Sequence, residues 1–471
     1  MQLLNKSQFL LYLDAPLHLW AQAHHQSETK LSLYEQHLAQ QGYQVEKQAQ
    51  KYLEKLVASE PALKLIWQAT FTDKNYEVRS DALIFHEATN SYDLYEIKSS
   101  TSVDKNNLYD ATFQFLVLNK KIKLDHVYIL HLNKDYARQT RLNLQQLFIA
   151  EEVTAKVHAL KIKIDLKREK AWQVLNSELS EGISACYNIK TCPCLSLCHP
   201  NLPPFSIFHL PHLSVKKKQA LLDLNIIQAQ DVPANFPLSY KQSLIAKVAK
   251  SNQPIIDRAA IRHELEQLTF PLYFLDYETY NAAIPLFDGY HPQQAMVFQY
   301  SLHILESPEG KLKHREHLSL GKEDPARSLL AKLQTDIGPT GSVLVWNKSF
   351  EMTRNKELAE LYPVAADFLN DLNELIYDLA DSIIEGFYVH PQFKGSWSIK
   401  NVLPVLVPNL SYHSLAIKKG DEAMIAWWKL VNQQYKNPEK ITANLLSYCE
   451  LDTRAMVEIW ERMRSLVDFR Q

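Results

Sequence analysis

Residues 272–279 read LYFLDYET, and their alternating pattern predicts a buried strand that ends in acidic side chains. Side chains alternate between the two faces of a strand, so Asp276 and Glu278 share the face of Leu272 and Phe274. On such a platform one carboxylate can bridge two divalent cations while the other holds one of them. We therefore expect a two-metal site at this strand; the alternative is a strand end whose acids face solvent.

The sequence around this strand predicts a mixed sheet with helices packed on it. Two strand-like runs follow, FQYSLHIL and HREHLSL, and then helix DPARSLLAKLQTDI, strand SVLVWN and helix SFEMTRNKELAELY. Three strands followed by helix, strand and helix favour an α/β fold. Asn347 and Glu351 stand at the start of the second helix. A last helix begins near Ile441, and its Tyr448 and Asp452 share a face because they are four residues apart.

These three motifs, DYE, NKSFE and YCELD, resemble those of the DnaQ-like 3′–5′ exonucleases, which have an RNase H-like fold. Glu351 stands where that family has aspartate. The resemblance implies that Tyr448 positions the attacking water. It also implies Mg²⁺ or Mn²⁺ ligands at Asp276, Glu278, Glu351 and Asp452. Asn347 and Lys400 are candidate substrate contacts; Lys400 lies in GSWSIKNVLP, for which we predict a loop near the site, with an ordinary surface loop as the alternative.

A second acidic site is predicted in the N-terminal part of the chain. VRSDALIF and YDLYEIK flank the polar stretch HEATNS and form a predicted hairpin. With the turn near Thr89, Asp81 lies opposite Glu96, and Glu96 shares its face with Lys98. Two carboxylates at the edge of an apolar face repel each other and are costly to desolvate, and a divalent cation removes both penalties. The alternative is a solvated hairpin end with a Glu–Lys pair.

The spacing Asp-x(14)-Glu-x-Lys is the pattern of the PD-(D/E)xK nucleases, and its surroundings resemble their RecB-like branch. In that branch Lys98 orients the attacking water or stabilises the charge that develops on the phosphate. Glu46, in the preceding helix, corresponds to a further acidic ligand, and Gln114, in the following helix, to the glutamine of that branch. Each of these two residues is alternatively an ordinary exposed helix residue.

Four cysteines, Cys186, Cys192, Cys194 and Cys198, cluster after this segment, and Cys449 stands apart. The cluster predicts a metal site rather than disulfides. It resembles RecB-like nucleases that bind an iron–sulfur cluster through three cysteines after the core and a fourth near the N-terminus, where this chain has Asp14. The resemblance implies a [4Fe–4S] cluster, with Cys194 as a substitute for Asp14. Zn²⁺ held by four cysteines, or no metal at all, are the alternatives.

Composition excludes several other classes of protein. The net charge of −2 provides no global basic field, and neither GxGxxG nor GxxxxGK[ST] occurs, which disfavours Rossmann-type and P-loop nucleotide binding. No apolar run has the roughly 20 residues of a membrane span, and no signal peptide is recognised, so we expect a cytoplasmic protein without a membrane partner.

The Pro-rich stretch HPNLPPF at 199–205 indicates a domain boundary. We predict three parts: a RecB-like nuclease domain with the cysteine cluster at 1–204, a helical connector at 205–265 and a DnaQ-like domain at 266–471. This order resembles a bacterial family of uncharacterised proteins. The resemblance implies a metal-dependent nuclease acting on nucleic acid, on DNA in preference to RNA, in repair, recombination or defence. The alternative is a non-catalytic nucleic-acid-binding or redox-sensing scaffold with degenerate sites.

Overall fold

The computed structural model describes residues 1–27 and 31–467, which form two compact units. One unit comprises Met1–Asn201 and Asn281–Gln294, and the other comprises Leu202–Tyr280 and Ala295–Gln471. The α/β class predicted from the sequence is confirmed. The division differs from the predicted three parts. The expected connector at 205–265 groups with the C-terminal unit, and residues 281–294 return to the N-terminal one.

The N-terminal unit contains eight strands and seven α-helices among its described residues. The strands are β1 (Leu4–Asn5), β2 (Leu63–Trp67), β3 (Thr70–Asp73), β4 (Tyr76–Arg79), β5 (Ala82–His86), β6 (Ser91–Lys98), β7 (Leu124–Leu132) and β8 (Phe148–Glu152). The helices are α1 (Lys6–Asp14), α2 (Pro16–Ala23), α3 (Leu33–Ala58), α4 (Lys105–Leu118), α5 (Leu144–Leu147), α6 (Thr154–Leu175) and α7 (Leu195–Cys198).

The main sheet of this unit has the order β2-β5-β6-β7-β8 and contains the predicted hairpin. Phe85 pairs with Tyr92 and Ala82 with Tyr95, which is the register expected from the sequence. Strands β6 and β7 are parallel and are joined through α4, whereas the other neighbouring pairs are antiparallel. The predicted strand VRSDALIF is interrupted at Ser80 and Asp81, because β4 belongs to a separate small sheet with β1 and β3.

Both faces of the main sheet are covered by helices. Leu83 and Leu94 face a core that includes Phe113 of α4 and Ile164 of α6. Their neighbours along the strands face a second core against α3, as the alternation of side chains in a strand requires. The edge residues Asp81, Glu96 and Lys98 therefore extend from an apolar face that is already buried.

The C-terminal unit contains the remaining elements. Its strands are β9 (Ile255–Ile256), β10 (Leu272–Asn281), β11 (Ala295–Leu305), β12 (Lys313–Leu318), β13 (Ser342–Val345), β14 (Ile376–Asp378) and β15 (Tyr388–Val389), with Asn281 of β10 grouped with the other unit. Its helices are α8 (Val215–Asp223), α9 (Tyr240–Ser251), α10 (Arg258–Glu266), α11 (Pro325–Asp336), α12 (Lys348–Leu361), α13 (Ala366–Glu374), α14 (Asp381–Ile384), α15 (Ile399–Leu406), α16 (Gly420–Val431) and α17 (Pro438–Val467). Short 3₁₀ turns lie at Ile207–His209, Ala229–Asp231, Pro363–Ala365, Pro391–Phe393 and Tyr412–Ser414.

The sheet of this unit has the order β12-β11-β10-β13-β14. Strands β10, β13 and β14 run parallel, so their carboxyl ends lie at the same edge of the sheet. Phe274 pairs with Leu344, and Asp276 is therefore two residues further along, at the level where β13 ends. On the same face as Asp276, the ring of Phe274 packs against Trp460 of α17. Because α17 packs against this face of β10, side chains of α17 can lie close to Asp276.

Two local features differ from the sequence predictions. The segment GSWSIKNVLP is a loop only in its first half: its second half begins helix α15, which continues through Pro404 to Leu406. Strand β14 was not predicted, because three residues are too few to show a period.

None of the helices among residues 1–27 and 31–467 combines the length and apolar character needed to cross a bilayer.

Candidate functional site

The hairpin β5–β6 brings the first predicted set of residues together. The Lys98 Nζ atom lies 2.7 Å from Glu96 Oε1, and the two side chains emerge on the same face of β6. The backbone N–H of Ile97 donates to Asp81 Oδ2 at 2.9 Å, which holds the Asp81 carboxylate across the hairpin beside Glu96. Asp81, Glu96 and Lys98 therefore form one cluster, as the period of two predicts.

Helix α4 adds Gln114 to this cluster and also Asp110, which the sequence interpretation missed. Gln114 Nε2 donates to Glu96 Oε2 at 2.6 Å and to Asp110 Oδ1 at 2.9 Å. Lys98 Nζ lies 2.6 Å from Asp110 Oδ2, so the ammonium group bridges two buried carboxylates. A signal for Asp110 exists in the sequence: it precedes Gln114 by four residues and therefore lies on the same face of the helix.

A second ammonium group, that of Lys6 in α1, also enters the cluster. Its Nζ lies 3.0 Å from Glu96 Oε1 and 3.4 Å from Asp81 Oδ1. No local pattern marks Lys6, because it is separated from its partners by most of the unit. This lysine is in contact with both carboxylates that the sequence assigned to a divalent cation.

Glu46 lies at the same site but is not joined directly to the carboxylates. It lines a cleft of about 360 Å³ together with Lys6, Asp81, Glu96 and Lys98. Its Oε1 accepts a hydrogen bond of 2.6 Å from Gln68 Nε2. Glu46 therefore lines the same cleft as these acids, where a further ligand is expected.

Burial and charge act in opposite directions on these acids. Burial, together with the charge of Glu96, raises the pKa of Asp81 to about 7. Burial also disfavours ionisation of Glu96, but Lys98, Lys6 and their hydrogen bonds outweigh it and lower the pKa of Glu96 below its ordinary value. Burial and the charge of Glu96 raise the pKa of Asp110. In this arrangement Glu96 is the permanently ionised member of the cluster.

The second predicted set assembles in the C-terminal unit around β10. Oxygen atoms of Asp276 and Glu278 lie within 4.8 Å of each other and of the sulfur of Cys449, which α17 contributes. Cys449 Sγ is 3.7 Å from Asp276 Oδ2. The two carboxylates that share a face of the strand therefore converge against α17.

Helix α17 also contributes Tyr448 and Asp452, as their spacing predicts. Asp452 Oδ1 accepts a 2.5 Å hydrogen bond from the hydroxyl of Tyr412, which the sequence interpretation missed. Lys400 Nζ donates to the hydroxyl of Tyr448 at 3.0 Å and lies over the rings of both tyrosines. Lys400 thus lies at the acidic site as expected, but it projects from a helix.

Glu351 and Asn347 lie at the start of α12, with different surroundings. The Glu351 side chain is buried, and no donor in the described part of the chain reaches its Oε2 atom. Asn347 is exposed and adopts a left-handed conformation with φ of 89°. Asp378, at the end of β14, accepts hydrogen bonds from the backbone N–H groups of Asn347 (3.1 Å) and Lys348 (2.8 Å) and so fixes the start of this helix. Asp378 was not predicted.

Burial and mutual repulsion raise the pKa values of the acids of the C-terminal site when no cation compensates them. Burial raises the pKa of Asp276, and the charges of Asp452, Glu278 and Glu351 raise it further. Burial and Asp452 raise the pKa of Glu278. Burial raises the pKa of Glu351 to about 8 and that of Asp452 to about 6. Mutual repulsion in a desolvated site is the condition that a bound cation relieves.

The cysteine cluster forms a third site, in the N-terminal unit. Cys194 and Cys198 place their sulfurs 3.7 Å apart. Cys192 Sγ lies 3.3 Å from Nε2 of His18, which α2 contributes and the sequence interpretation missed. Cys186 is buried beside them, with its sulfur 3.6 Å from the carbonyl oxygen of Asn188. All four predicted cysteines therefore come together.

Asp14, the predicted N-terminal ligand, occupies a different position. Its carboxylate contacts His18 Nδ1 at 2.6 Å, and the side chain is 61% exposed. Asp14 is the last residue of α1 and His18 lies in the first turn of α2, so a carboxylate and an imidazole meet across the junction of the two helices. The residue that faces the sulfurs from the N-terminal segment is His18, because Asp14 contacts the other side of its ring.

Two comparisons with known proteins match parts of the chain. A family model described as a domain of unknown function, DUF2779, matches residues 273–398, a range that carries Asp276, Glu278 and Glu351 but ends before Tyr448. An uncharacterized protein of Ureaplasma parvum serovar 3, UU173, is 28% identical over 265 residues, which cover 49% of this chain and 36% of that protein. The chain thus spans little more than a third of this relative. No solved structure matches the chain.

Proposed function

We propose that this protein is a metal-dependent nuclease that hydrolyses phosphodiester bonds in nucleic acid, with DNA as the first substrate class to test. The observation that carries the proposal is a buried group of acids that β10 and α17 contribute together. Asp276, Glu278 and Asp452 belong to it, and the charge of Glu351 acts on Asp276. The order β12-β11-β10-β13-β14 supports the resemblance to DnaQ-like exonucleases, because it puts the strand that bears DYE in the centre.

The chemistry of these donors fits Mg²⁺ or Mn²⁺. Carboxylate oxygens are the ligands that these hard cations prefer. Glu351 Oε2 is buried and has no hydrogen-bond donor in residues 1–27 and 31–467, so this oxygen lacks the compensation that buried polar atoms require. Asp276, Glu278, Glu351 and Asp452 are the residues that would hold the ions. When bound, the ions supply an activated water and stabilisation of the leaving 3′ oxygen.

The remaining polar groups have roles that follow from their contacts. Burial raises the pKa of the Tyr448 hydroxyl, which therefore stays protonated and acts as a hydrogen-bond donor to water or substrate. The ammonium group of Lys400, beside Tyr448, is positioned to bind a phosphate that enters the site. The exposed Asn347, at the start of α12, offers an amide to the substrate.

The N-terminal cluster is a second candidate centre for the same chemistry. Asp81 and Glu96 provide oxygen ligands, Lys98 provides an ammonium group, and Glu46 lines the same cleft. A divalent cation between Asp81 and Glu96 has to displace Lys6, which already forms ion pairs with both. We therefore expect this centre to require more Mg²⁺ than the C-terminal one.

The position of Lys6 favours one alternative function. If Lys6 remains between Asp81 and Glu96, the N-terminal unit binds nucleic acid without cleaving it and the chain acts as a scaffold with degenerate sites. That function predicts retention of strands without hydrolysis under any divalent cation.

The test is a nuclease assay on end-labelled single- and double-stranded DNA and RNA with EDTA, Mg²⁺ or Mn²⁺. Wild type is compared with Lys98→Ala, Asp276→Ala and the double variant. Lys64→Ala and Asp371→Ala, both at exposed positions, are the matched controls. We expect metal-dependent cleavage that the controls retain, that Asp276→Ala lowers at least 100-fold and that the double variant lacks.

The product ladder then gives the polarity and the end that is attacked. Cleavage that persists in the double variant, or that EDTA does not stop, contradicts the proposal. Binding without cleavage in every metal supports the scaffold function instead.

A further inference from the structure

The N-terminal segment and the cysteine cluster together define a donor set that differs from four thiolates. His18 Nε2, Cys192 Sγ, Cys194 Sγ and Cys198 Sγ all lie within 4.8 Å of one another. His18 is 1% exposed, so its imidazole lies in the interior of the protein. The backbone fixes the approach of α2, since Leu17 N donates to Ser184 O at 3.1 Å and Trp20 Nε1 donates to Ser177 O at 3.0 Å.

The separations between donors agree with one tetrahedral ion. With zinc–sulfur bonds of about 2.3 Å and zinc–nitrogen bonds of about 2.0 Å, tetrahedral geometry puts two sulfurs about 3.8 Å apart and a sulfur and a nitrogen about 3.5 Å apart. The observed values are 3.7 Å for Cys194–Cys198 and 3.3 Å for Cys192–His18. A four-iron cluster distributes its protein ligands over four metal atoms and therefore needs donors that are further apart.

Asp14 completes the arrangement from outside the donor set. Its carboxylate accepts from His18 Nδ1 at 2.6 Å, which leaves the lone pair of Nε2 directed at the sulfurs. A histidine that binds a metal commonly donates its other nitrogen to a carboxylate, which orients the ring and strengthens it as a ligand. This contact explains why an aspartate stands at position 14 and a histidine at position 18.

We propose that His18, Cys192, Cys194 and Cys198 form a mononuclear, structural Zn²⁺ site in which Asp14 orients the histidine. The ion joins the N-terminal helices to the segment that follows α6. The thiol of Cys186 interacts with those of Cys192 and Cys198. We assign the fourth ligand position to His18 and not to Cys186, because His18 Nε2 lies within 4.8 Å of all three sulfurs of the set. This site is separate from the proposed nuclease centres and does not depend on their activity.

The site is tested by measuring metals in the full-length protein. The chain is expressed in medium supplemented with iron and, separately, with zinc, and purified without chelators. We expect about one zinc per chain from both media, no visible absorption and little iron. His18→Ala is expected to lower the zinc affinity at least 10-fold and Asp14→Asn about 10- to 100-fold, whereas Cys186→Ser and Cys449→Ser retain zinc.

Cobalt substitution reports the donor set directly, even where His18→Ala fails to fold. His18→Cys keeps a fourth ligand, and its Co²⁺ form is expected to show sulfur-to-metal absorption about one third stronger than wild type, because three thiolates become four. Brown protein with several irons per chain overturns the proposal. So does zinc that His18→Ala retains and Cys186→Ser loses, or wild-type protein that binds neither zinc nor cobalt.

Discussion

Glu351 is deeply buried, and its Oε2 atom receives no hydrogen bond from residues 1–27 or 31–467. Its protonation state therefore depends on the charges that surround it in the C-terminal site. Burial raises its pKa to about 8 from an ordinary value of 4.5. Without divalent cations the folded protein therefore carries a neutral carboxyl at neutral pH. A cation reverses this preference, because it stabilises the ionised form.

The pH dependence of stability follows from this raised pKa. Between about pH 5 and pH 8 the folded state holds a proton on Glu351 that the unfolded state has lost, so the free energy of unfolding falls as pH rises. In EDTA, Glu351→Gln should remove this part of the fall and gain about 2–5 kcal/mol relative to wild type across that range. Urea unfolding at several pH values measures the effect. Glu360→Gln, an exposed change on the same helix, is the control. Parallel profiles for Glu351→Gln and wild type would contradict the prediction.

Lys6 shows how a single distant residue changes the interpretation of a motif. The hairpin alone places Asp81 and Glu96 together, and two unpaired carboxylates point to a divalent cation. With Lys6 and Lys98 both bonded to Glu96, the same acids are part of a network of three carboxyl groups and two ammonium groups. The two lysines compensate much of the negative charge of this network without a metal ion, and this is why we expect its affinity for Mg²⁺ to be lower than that of the C-terminal centre.

The parallel pair β10–β13 positions the acids of the C-terminal site, and its start depends on one glycine. Gly341 has φ of +112°, a conformation that side chains rarely adopt, and a Cβ at this position would overlap the carbonyl oxygen of Pro271. The next residue, Ser342, donates its N–H to that same carbonyl at 3.1 Å. The close approach of the two chains therefore requires the missing side chain.

Replacement of this glycine tests the requirement. Gly341→Ala is expected to lower the free energy of unfolding by about 2–4 kcal/mol, through both the strained φ and the overlap with Pro271. Gly321→Ala is the matched control, because the nearest atom to its added Cβ is 3.8 Å away. Equal urea midpoints for the two variants would show that the backbone at 341 adjusts without cost.

Across the chain as a whole, the N-terminal unit is built from two separate segments. Residues 281–294, which follow the strand that carries DYE, supply partners to the buried Gln41 of α3. Gln41 Nε2 donates to Asn281 O at 3.0 Å, and Ala283 N donates to Gln41 Oε1 at 2.6 Å. One side chain thereby satisfies two backbone groups of the inserted segment.

We expect Gln41→Leu to release this segment from the unit. Two backbone groups lose their partners, which should cost about 2–4 kcal/mol and remove the hydrogen-exchange protection of the Ala283 amide. Gln40→Leu, an exposed neighbour on the same helix, should leave both unchanged. Exchange measured by mass spectrometry on the full chain gives the result, and an amide at 283 that stays protected in Gln41→Leu would count against this account.

The spacing of residues along the sequence was sufficient to predict much of both acidic sites. The period of two placed Asp81 opposite Glu96 and put Asp276 and Glu278 on one face, and the helical spacing put Tyr448 and Asp452 on another. These inferences hold because the direction of neighbouring side chains follows from backbone geometry alone. The domain boundaries were less predictable, since nothing in residues 281–294 by themselves marks their return to the first unit.

Only the tertiary structure decided which distant groups complete each site. Lys6, Asp378, Tyr412 and His18 were not recognised from the sequence, yet each contacts a residue that was. Asp14 was assigned to the metal because of its position in the chain, whereas the fold turns His18 toward the sulfurs and leaves Asp14 behind the ring. The sequence by itself determined the strands, helices and faces that carry the acids and thiols. The partners came from the packing of α1, α2, β14 and the turn at Tyr412–Ser414, because contacts between distant elements exist only after those elements pack.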